Sequence, residues 1–152
     1  MPEMRAPDQI KPTSLGEYLE VMSKAVFQGG MSWKVVDAKW PGIREGFRDF
    51  DVPAIMRMGE RDIDKLAQNP EVIRNRRKLE AVVENAHRMV ELEAEHGSFR
   101  DYLRSHGSFE ATVADLRKQF RFLGETGCYV FLYIVGEQVP PHEEWEASRK
   151  GK

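Results

Sequence analysis

The chain has 152 residues, of which 41% are hydrophobic and 32% charged, and its formal net charge is −2. This length supports one domain with one core, and no apolar run approaches the roughly 20 residues of a membrane span. Residues 1–12 lack the apolar stretch of a secretory signal, and a single cysteine, Cys128, excludes a disulfide framework and a cysteine-based zinc site. These features predict a helix-rich cytoplasmic protein.

The first predicted helix has clear signals at both ends. Ser14 and Glu17 have the spacing of a capping box, which predicts a helix that continues to about Phe27. Residues 29–30 are both glycine and end this helix.

The next predicted helices are shorter. Ser32 caps a helix to about Lys39, and Pro41 begins another helix at its first turn. A short helix follows the cap at Asp51, and a further helix spans residues 60–68.

The second half of the chain contains the longest predicted helix. It begins at Pro70 and continues to about His96. Gly-Ser pairs at 97–98 and 107–108 each end one helix and cap the next. The predicted helices after these pairs span residues 99–105, 109–119 and 125–135.

The pattern of the whole chain predicts a compact all-α fold with several helices. Strand signals are nearly absent, because no alternating segment is bounded by Asn-Gly or Asp-Gly turns. We expect a flexible N-terminal segment over residues 1–12, a helical domain over 13–136 and a charged, frayed tail over 137–152.

A tight turn at residues 120–127 separates an amphipathic helix from an apolar one. Free amides at a helix N-terminus, together with the helix dipole, form an anion site that a DNA phosphate would fill. The amides concerned are those of Leu123, Gly124, Glu125 and Thr126. The alternative is a connection whose glycines serve only steric needs, and the Glu125 carboxylate opposes a phosphate unless it points away.

The turn at residues 27–33 combines two glycines with an amide, a flexible apolar side chain and an indole. Its functional residues would be Gln28, Gly29, Met31 and Trp33. An enzyme that acts on a base in duplex DNA must flip the base out, plug the gap and hold the base against an aromatic surface. The alternative is that Met31 and Trp33 pack into the core while the glycines only end a helix.

Two basic clusters are compatible with a DNA-facing side despite the negative net charge. One, near the start of the long helix, includes Arg76 and Lys78, and the other includes Lys118, just before the tight turn. Basic side chains are unfavourable near a helix N-terminus, so we expect an anionic group beside the first cluster. This group is either DNA phosphate or the acidic tail, and the alternative is an ordinary solvated face.

Three segments, at residues 27–33, 72–86 and 122–129, together resemble the DNA-3-methyladenine glycosylase I family. The likeness extends from about Ser14 to about Gly136, so the domain predicted over 13–136 would be glycosylase-like. The family implies an all-helical helix-hairpin-helix fold and the excision of 3-methyladenine from alkylated double-stranded DNA.

The resemblance also implies roles for individual residues. Gln28, Gly29 and Met31 would fill the gap that the flipped nucleotide leaves. Trp33 would stack on the lesion base. The amides at residues 123–126 would hold a DNA phosphate.

The chain departs from the family pattern in three places. The acidic pocket residue of the family corresponds to Ala25, and Glu20, about one helical turn earlier, is the nearest substitute. The N-terminal segment that supplies pocket aromatics and zinc ligands in the family is absent, as are the C-terminal zinc ligands. We therefore expect no metal and no cofactor, and the catalytic residue is unknown.

The chemistry of an alkylated base does not require the missing acid. A cationic 3-methyladenine leaves as a neutral group without protonation, whereas an unalkylated base would need an acid. Stacking and desolvation can favour the transition state over the ground state. The sequence therefore predicts a monofunctional, monomeric DNA N-glycosylase for cationic alkylpurines.

Three alternatives remain open on the sequence alone. The chain could be an inactive relative that binds DNA or a damaged base, or a helical adaptor between proteins. A lyase is less attractive, because its nucleophile would be a lysine with a lowered pKa beside the pocket, and Lys24 is the nearest lysine to Ala25.

Overall fold

The computed structural model describes residues 8–150, which form helices joined by short turns with no β-strand in that range. The helices are α1 (Leu15–Gln28), α2 (Trp33–Gly46), α3 (Val52–Met56), α4 (Glu60–Gln68), α5 (Arg76–His96), α6 (Phe99–Leu103), α7 (Phe109–Gln119), α8 (Glu125–Ile134) and α9 (His142–Lys150). A 3₁₀ turn at Arg48–Phe50 connects α2 to α3. The all-α prediction is confirmed. None of the helices described is both long and apolar enough to cross a membrane.

Helix α1 lies at the centre of the fold and packs against α2, α5 and α8. Four of its side chains are completely buried: Leu19, Met22, Val26 and Phe27. Each burial of this kind contributes about 1.5–3 kcal/mol to folding. A second stripe on the same helix, with the three-to-four-residue spacing of one helical face, includes Glu20, Lys24 and Gln28 and lines a cavity.

Helix α2 does not break at Pro41, so the prediction of two separate helices is wrong. The helix is continuous from Trp33 to Gly46 with the proline inside it. The proline ring removes one backbone hydrogen bond. The completely buried side chains of Val36 and Ile43 anchor the two halves of the helix in the core. Residues on either side of the proline therefore share the faces of one helix.

Helix α5 begins at Arg76 and not at Pro70, which corrects the predicted start. Its N-cap is Asn75, whose side-chain oxygen accepts a hydrogen bond from the backbone N–H of Lys78 at 3.2 Å. The segment before the cap passes so close to α2 that a Cβ on Gly42 would lie 2.3 Å from a backbone oxygen. Close packing of this segment against α2 accompanies the later start of the helix.

The C-terminal tail contains helix α9, so the prediction that it is frayed is wrong. Trp145 is buried and stacks on Tyr129 of α8, with ring centroids 4.4 Å apart. The Tyr129 hydroxyl donates a hydrogen bond to the carbonyl of Pro140 at 2.6 Å. The tail's charge and its prolines suggested fraying, but one large apolar side chain is enough to dock it.

The N-terminal segment, predicted to be flexible over residues 1–12, lies partly outside the described residues, which begin at residue 8. The Ile10 N–H donates to the carbonyl of Ile134 at 2.7 Å, and the Gln9 side chain donates to the carbonyl of Tyr133 at 2.9 Å. These bonds hold the end of the segment against the C-terminus of α8.

The predicted hairpin corresponds to α7 and α8 with the turn between them. Asn85 of α5 is buried and makes two hydrogen bonds to Arg121 in this turn. The amide of Asn85 donates to the Arg121 carbonyl at 3.2 Å, and its oxygen accepts from the Arg121 N–H at 2.8 Å. The next residue, Phe122, has φ 58°, which is uncommon for an aromatic residue. The side chain of Asn85 thus holds the turn in place from the core.

Candidate active site and DNA-binding surface

A cavity of about 670 Å³ opens between α1, α2, α8 and the segment before α1. Two indoles, four carboxylates and one ammonium group line it. The lining residues are Asp8, Ile10, Glu17, Glu20, Val21, Lys24, Ala25, Gln28, Trp33, Asp37, Trp40, Val130 and Ile134. A larger recess of about 860 Å³ lies beside α6 and α7, but it contains none of the site residues that the sequence predicts.

Ala25 lies in the cavity wall close to α8. Its side chain is 7% exposed, and a Cβ on Gly127 of α8 would lie 3.7 Å from the Ala25 Cβ. The two helices therefore approach each other closely at this point. Ala25 contributes a methyl group to the wall and no group that could transfer a proton.

The two glutamates of α1 in the wall already have hydrogen-bond partners. Trp40 Nε1 donates to Glu20 Oε2 at 2.9 Å, and Arg44 Nη1 donates to Glu20 Oε1 at 2.9 Å. The hydroxyl and backbone N–H of Thr13 donate to Glu17 at 2.7 Å, and these hydrogen bonds lower the pKa of Glu17. Glu20 therefore orients Trp40, and this geometry does not favour the acid role predicted for Glu20 as a substitute.

Trp40 is a rigid aromatic wall of the cavity. Phe50 stacks on its indole with centroids 5.7 Å apart and planes 10° apart, and Phe27 meets it edge-on at 6.3 Å. Stacked and edge-to-face pairs each add about 0.5–1.5 kcal/mol beyond burial. With its N–H held by Glu20, the ring is fixed in both position and orientation.

An unusual backbone turn brings Phe50 to Trp40. Arg48, Asp49 and Phe50 have φ values of 56°, 57° and 56°, in the left-handed region that disfavours residues other than glycine. The turn lies directly against Gly16 of α1, where a Cβ would be 2.3 Å from the Phe50 carbonyl oxygen. Backbone strain of this kind concentrates at functional sites. The absence of a side chain at Gly16 allows the turn to take this position.

Lys24 and Asp37 form an ion pair that joins α1 to α2 in the cavity. Lys24 Nζ lies 2.7 Å from Asp37 Oδ1 and 5.6 Å from the centroid of the Trp40 indole. The Lys24 side chain is 35% exposed and that of Asp37 56% exposed. Exposed pairs contribute about 0–1 kcal/mol, so this pair can open at small cost.

The sequence pattern predicts Trp33 as a site residue, whereas Asp37 and Trp40 are site residues that it missed. The three residues have the i, i+4, i+7 spacing that places them on one face of a continuous helix. The predicted break at Pro41 concealed this spacing. A helix predicted to continue through Pro41 would place Trp33, Asp37 and Trp40 on one face.

The structure brings Gln28 and Trp33 together in the cavity wall, whereas Gly29 and Met31 do not line the cavity. Trp33 is 45% exposed and available for stacking, and Met31 is partly buried against the core. The Gly29 carbonyl accepts a hydrogen bond from Lys78 Nζ at 2.6 Å. This bond ties the turn to α5.

The three basic residues predicted to bind phosphate have different environments. Lys78 is 8% exposed with its amino group bonded to the turn, and burial lowers its pKa. Arg76 is ion-paired with Asp64 and Glu80. Lys118 is exposed on α7, with no carboxylate of residues 8–150 in salt-bridge range. Of the three, Lys118 is the residue whose ammonium group has no ion-pair partner among residues 8–150.

The N-terminus of α8 has the features predicted for an anion site. Gly124 is the N-cap and has open space at its Cα, whereas Leu123 is buried and anchors the turn. The first backbone amides of α8, at residues 125–127, have no hydrogen-bond partner in the described part of the chain. These amides are therefore free to bind an external acceptor.

The Glu125 carboxylate at this helix end is held by two arginines. It lies 3.3 Å from Arg117 Nη1 and 3.5 Å from Arg149 Nε of α9. Arg149 also approaches the Thr126 hydroxyl at 3.5 Å. Arg149 also pairs with Glu146 at 3.4 Å, so two guanidinium groups and two carboxylates balance each other beside the amides.

The described residues do not fit a zinc site of the kind attributed above to the resembled family. Within residues 8–150, no three His, Cys, Asp or Glu side chains are grouped as metal ligands. His142 lies against the rings of Tyr129 and Trp145. The Cys128 thiol is buried, and this burial raises its pKa to about 12, so it remains protonated and is a poor nucleophile. The described part of the chain therefore supplies neither a zinc-binding cluster nor a reactive thiol.

Sequence comparison relates the chain to known proteins. Residues 14–119 match the methyladenine glycosylase family model. The chain is 35% identical to the DNA-3-methyladenine glycosylase of Haemophilus influenzae over 130 residues, which cover 72% of this chain and 70% of that protein. It is 28% identical to DNA-3-methyladenine glycosylase 1 of Escherichia coli over 130 residues, with the same two coverages.

Solved structures show the same relationship. A crystal structure of 3-methyladenine DNA glycosylase I superposes with a TM-score of 0.73 at 29% identity and covers 84% of this chain and 81% of that one. The Staphylococcus aureus enzyme gives 0.74 at 25% identity, with coverages of 84% and 79%. A variant of 3-methyladenine DNA glycosylase I in complex with 3-methyladenine gives 0.73 at 25% identity, with coverages of 84% and 80%.

Proposed function

Because the chain belongs to the methyladenine glycosylase family, we propose that it removes 3-methyladenine and related cationic alkylpurines from double-stranded DNA. It is a DNA N-glycosylase that receives the flipped base in the cavity between α1, α2 and α8 and hydrolyses the N-glycosidic bond. The named activity of its relatives supports this reaction. We propose that it acts as a monomer without a cofactor.

The proposed substrate class rests on the composition of the cavity. Four carboxylates and one ammonium group line it, together with the indoles of Trp33 and Trp40. An aromatic face and an excess of negative charge both stabilise a positively charged ring. A neutral purine can stack on the indoles but is attracted only weakly by the carboxylates. The cavity therefore favours an alkylated, cationic base.

The reaction proceeds without a general acid at position 25. When the bond between the sugar C1′ and the base nitrogen breaks, the electron pair stays on the base, and the cationic base leaves as a neutral molecule. Positive charge develops on the sugar instead, and water adds to it and loses a proton to give an abasic site. The cavity contributes by binding the flipped cationic base, and its carboxylates can also stabilise the positive charge that develops on the sugar as the bond breaks.

Two surfaces beside the cavity are suited to hold the DNA. The turn with Gln28, Gly29 and Met31 would fill the gap left by the flipped nucleotide, and Lys78 stabilises this turn from within. The free amides at the start of α8 would bind a backbone phosphate. Among the predicted basic residues, Lys118 is best placed to add a phosphate contact, and Arg76 would first have to leave its two carboxylate partners.

The alanine at position 25 favours one alternative, an inactive relative that binds a damaged base without excising it. Release of free base from DNA distinguishes the two. Incubation of the protein in excess with methylated duplex DNA should release 3-methyladenine, measured by chromatography of the soluble fraction. Unmethylated DNA should release no adenine, because the neutral base needs protonation to leave. Salt-sensitive DNA binding without any release of 3-methyladenine would instead support the inactive relative.

Salt dependence of DNA binding tests the assignment of Lys118. Removing one side chain that binds a phosphate should reduce the slope of log K against log[salt] by about 0.9. We expect this change for Lys118→Ala, measured by fluorescence anisotropy on an undamaged duplex. Arg100→Ala removes an exposed charge from α6 and serves as the matched control, with an unchanged slope. Equal slopes for the wild type and Lys118→Ala would show that Lys118 does not contact phosphate, and no salt-dependent binding at all would favour a protein adaptor.

A further inference from the structure

We propose that the Lys24 ammonium group occupies the place of the cationic base in the free protein, and that Asp37 and Trp40 form the cation site of this chain. This inference rests on the proposed function for the identity of the ligand, a cationic purine. It assigns the recognition of charge to Asp37 and Trp40. The family acid corresponds to Ala25 in this chain, and Ala25 has no charge.

Three of the four carboxylates in the cavity have partners that separate them by role, and the fourth, Asp8, is an exposed residue of the segment before α1. Glu20 is occupied by Trp40 Nε1 and by Arg44, and its function is to hold the indole. Glu17 belongs to the cap at the start of α1, where Thr13 donates to it. Asp37 differs from both, because its ion-pair partner is the end of a flexible lysine side chain.

The surroundings of the Lys24 ammonium group are those that a cationic purine requires. A carboxylate oxygen lies 2.7 Å away and an indole centroid 5.6 Å away. A carboxylate and an aromatic face are the two groups that attract a delocalised cation in a cavity. The indole is held rigidly by Phe50, and it would remain in place when the ammonium group leaves.

The exchange of lysine for substrate gives selectivity by charge. A cationic purine that displaces Lys24 replaces the broken ion pair with its own interaction with Asp37. A neutral purine breaks the same pair and leaves the carboxylate without a cation. The cost of displacing Lys24 weakens the binding of both ligands, so the discrimination between them comes from Asp37, whose charge only a cation offsets.

Ligand binding to the isolated protein tests the proposal. The probe is 3,9-dimethyladeninium, whose two ring methyl groups keep it positively charged at neutral pH, and 9-methyladenine is the neutral comparison. Quenching of tryptophan fluorescence reports binding, because Trp33 and Trp40 line the cavity. We expect the wild type to prefer the cation, and Lys24→Met to bind it about threefold to tenfold more tightly.

A double variant isolates the contribution of Asp37. Lys24→Met combined with Asp37→Asn should bind the cation at least about threefold more weakly than Lys24→Met alone, with little change for 9-methyladenine. Lys65→Met removes an exposed lysine from α4 and should bind both probes like the wild type. Thermal unfolding of each variant verifies that the fold is retained.

Two outcomes would overturn the inference: Lys24→Met binding the cation no more tightly than the wild type, or the double variant binding it as tightly as Lys24→Met. Neither depends on base release. Release of 3-methyladenine with no effect of Lys24→Met on probe binding would leave the glycosylase function standing and refute the cation site. The expected binding pattern without any release would support the cation site and refute the enzymatic function.

Discussion

Replacing Trp33 with alanine is expected to reduce the rate of 3-methyladenine release by about fivefold to 150-fold, because stacking on an aromatic side chain contributes about 1–3 kcal/mol per base. Trp33 lies in the cavity wall and is 45% exposed, so its ring is available to a flipped base. Its truncation removes little buried surface, so the protein should remain folded. Single-turnover release from methylated duplex DNA measures this effect without interference from product dissociation.

Two variants serve as controls for this experiment. Trp33→Phe keeps a stacking ring and should retain most of the activity. Val35→Ala truncates another exposed apolar side chain on α2 that does not line the cavity, and it should release base like the wild type. If Trp33→Ala matched the wild type, or if Val35→Ala lost as much activity, then Trp33 would not be the stacking residue.

Gly16→Ala is expected to reduce both the stability and the activity of the protein, although Gly16 does not line the cavity. The new Cβ would lie 2.3 Å from the Phe50 carbonyl oxygen, so the left-handed turn must move. Overpacking of this kind costs about 1–3 kcal/mol, which corresponds to a decrease in Tm of about 2–12 °C for a chain of this length. Because Phe50 stacks on Trp40, the movement should also loosen the cavity wall and slow base release.

Calorimetry and single-turnover release on the same preparation measure the two effects of Gly16→Ala. Gly59→Ser is the matched control, because a Cβ at Gly59 meets no atom within 4 Å and serine is a favourable N-cap residue. This control should change neither Tm nor activity appreciably. A Gly16→Ala protein with the Tm and activity of the wild type would show that the turn adapts without disturbing Trp40.

Local signals in the sequence predicted most of the helices. Ser14, Ser98 and Ser108 are N-caps in the structure, and each side chain accepts the predicted hydrogen bond from the third residue of its helix. Glycine ends the long helix at Gly97, where φ is +89°. These signals are reliable because a cap and the amide it satisfies lie within one turn of each other.

The errors in the predicted fold arose where long-range packing overrides local preference. Helix α2 continues through Pro41, because buried residues on both sides anchor one helix. Helix α5 begins only after Asn75, and the segment before it packs against α2. The charged tail forms α9, because Trp145 stacks on Tyr129 of α8. None of these contacts can be inferred from neighbours in the sequence.

By itself, the sequence determined the all-α class and the family, and it predicted Gln28 and Trp33 as site residues, both of which line the cavity. Each of these follows from residue identity and short-range spacing. The tertiary structure alone decided what each polar group contacts. It shows that Lys78 donates a hydrogen bond to the turn at residues 27–33 and that Glu20 accepts one from Trp40. It also shows that Lys24 and Asp37 form an ion pair in the cavity. The physical reason is that a charge takes its role from its nearest partners, which here lie on other helices.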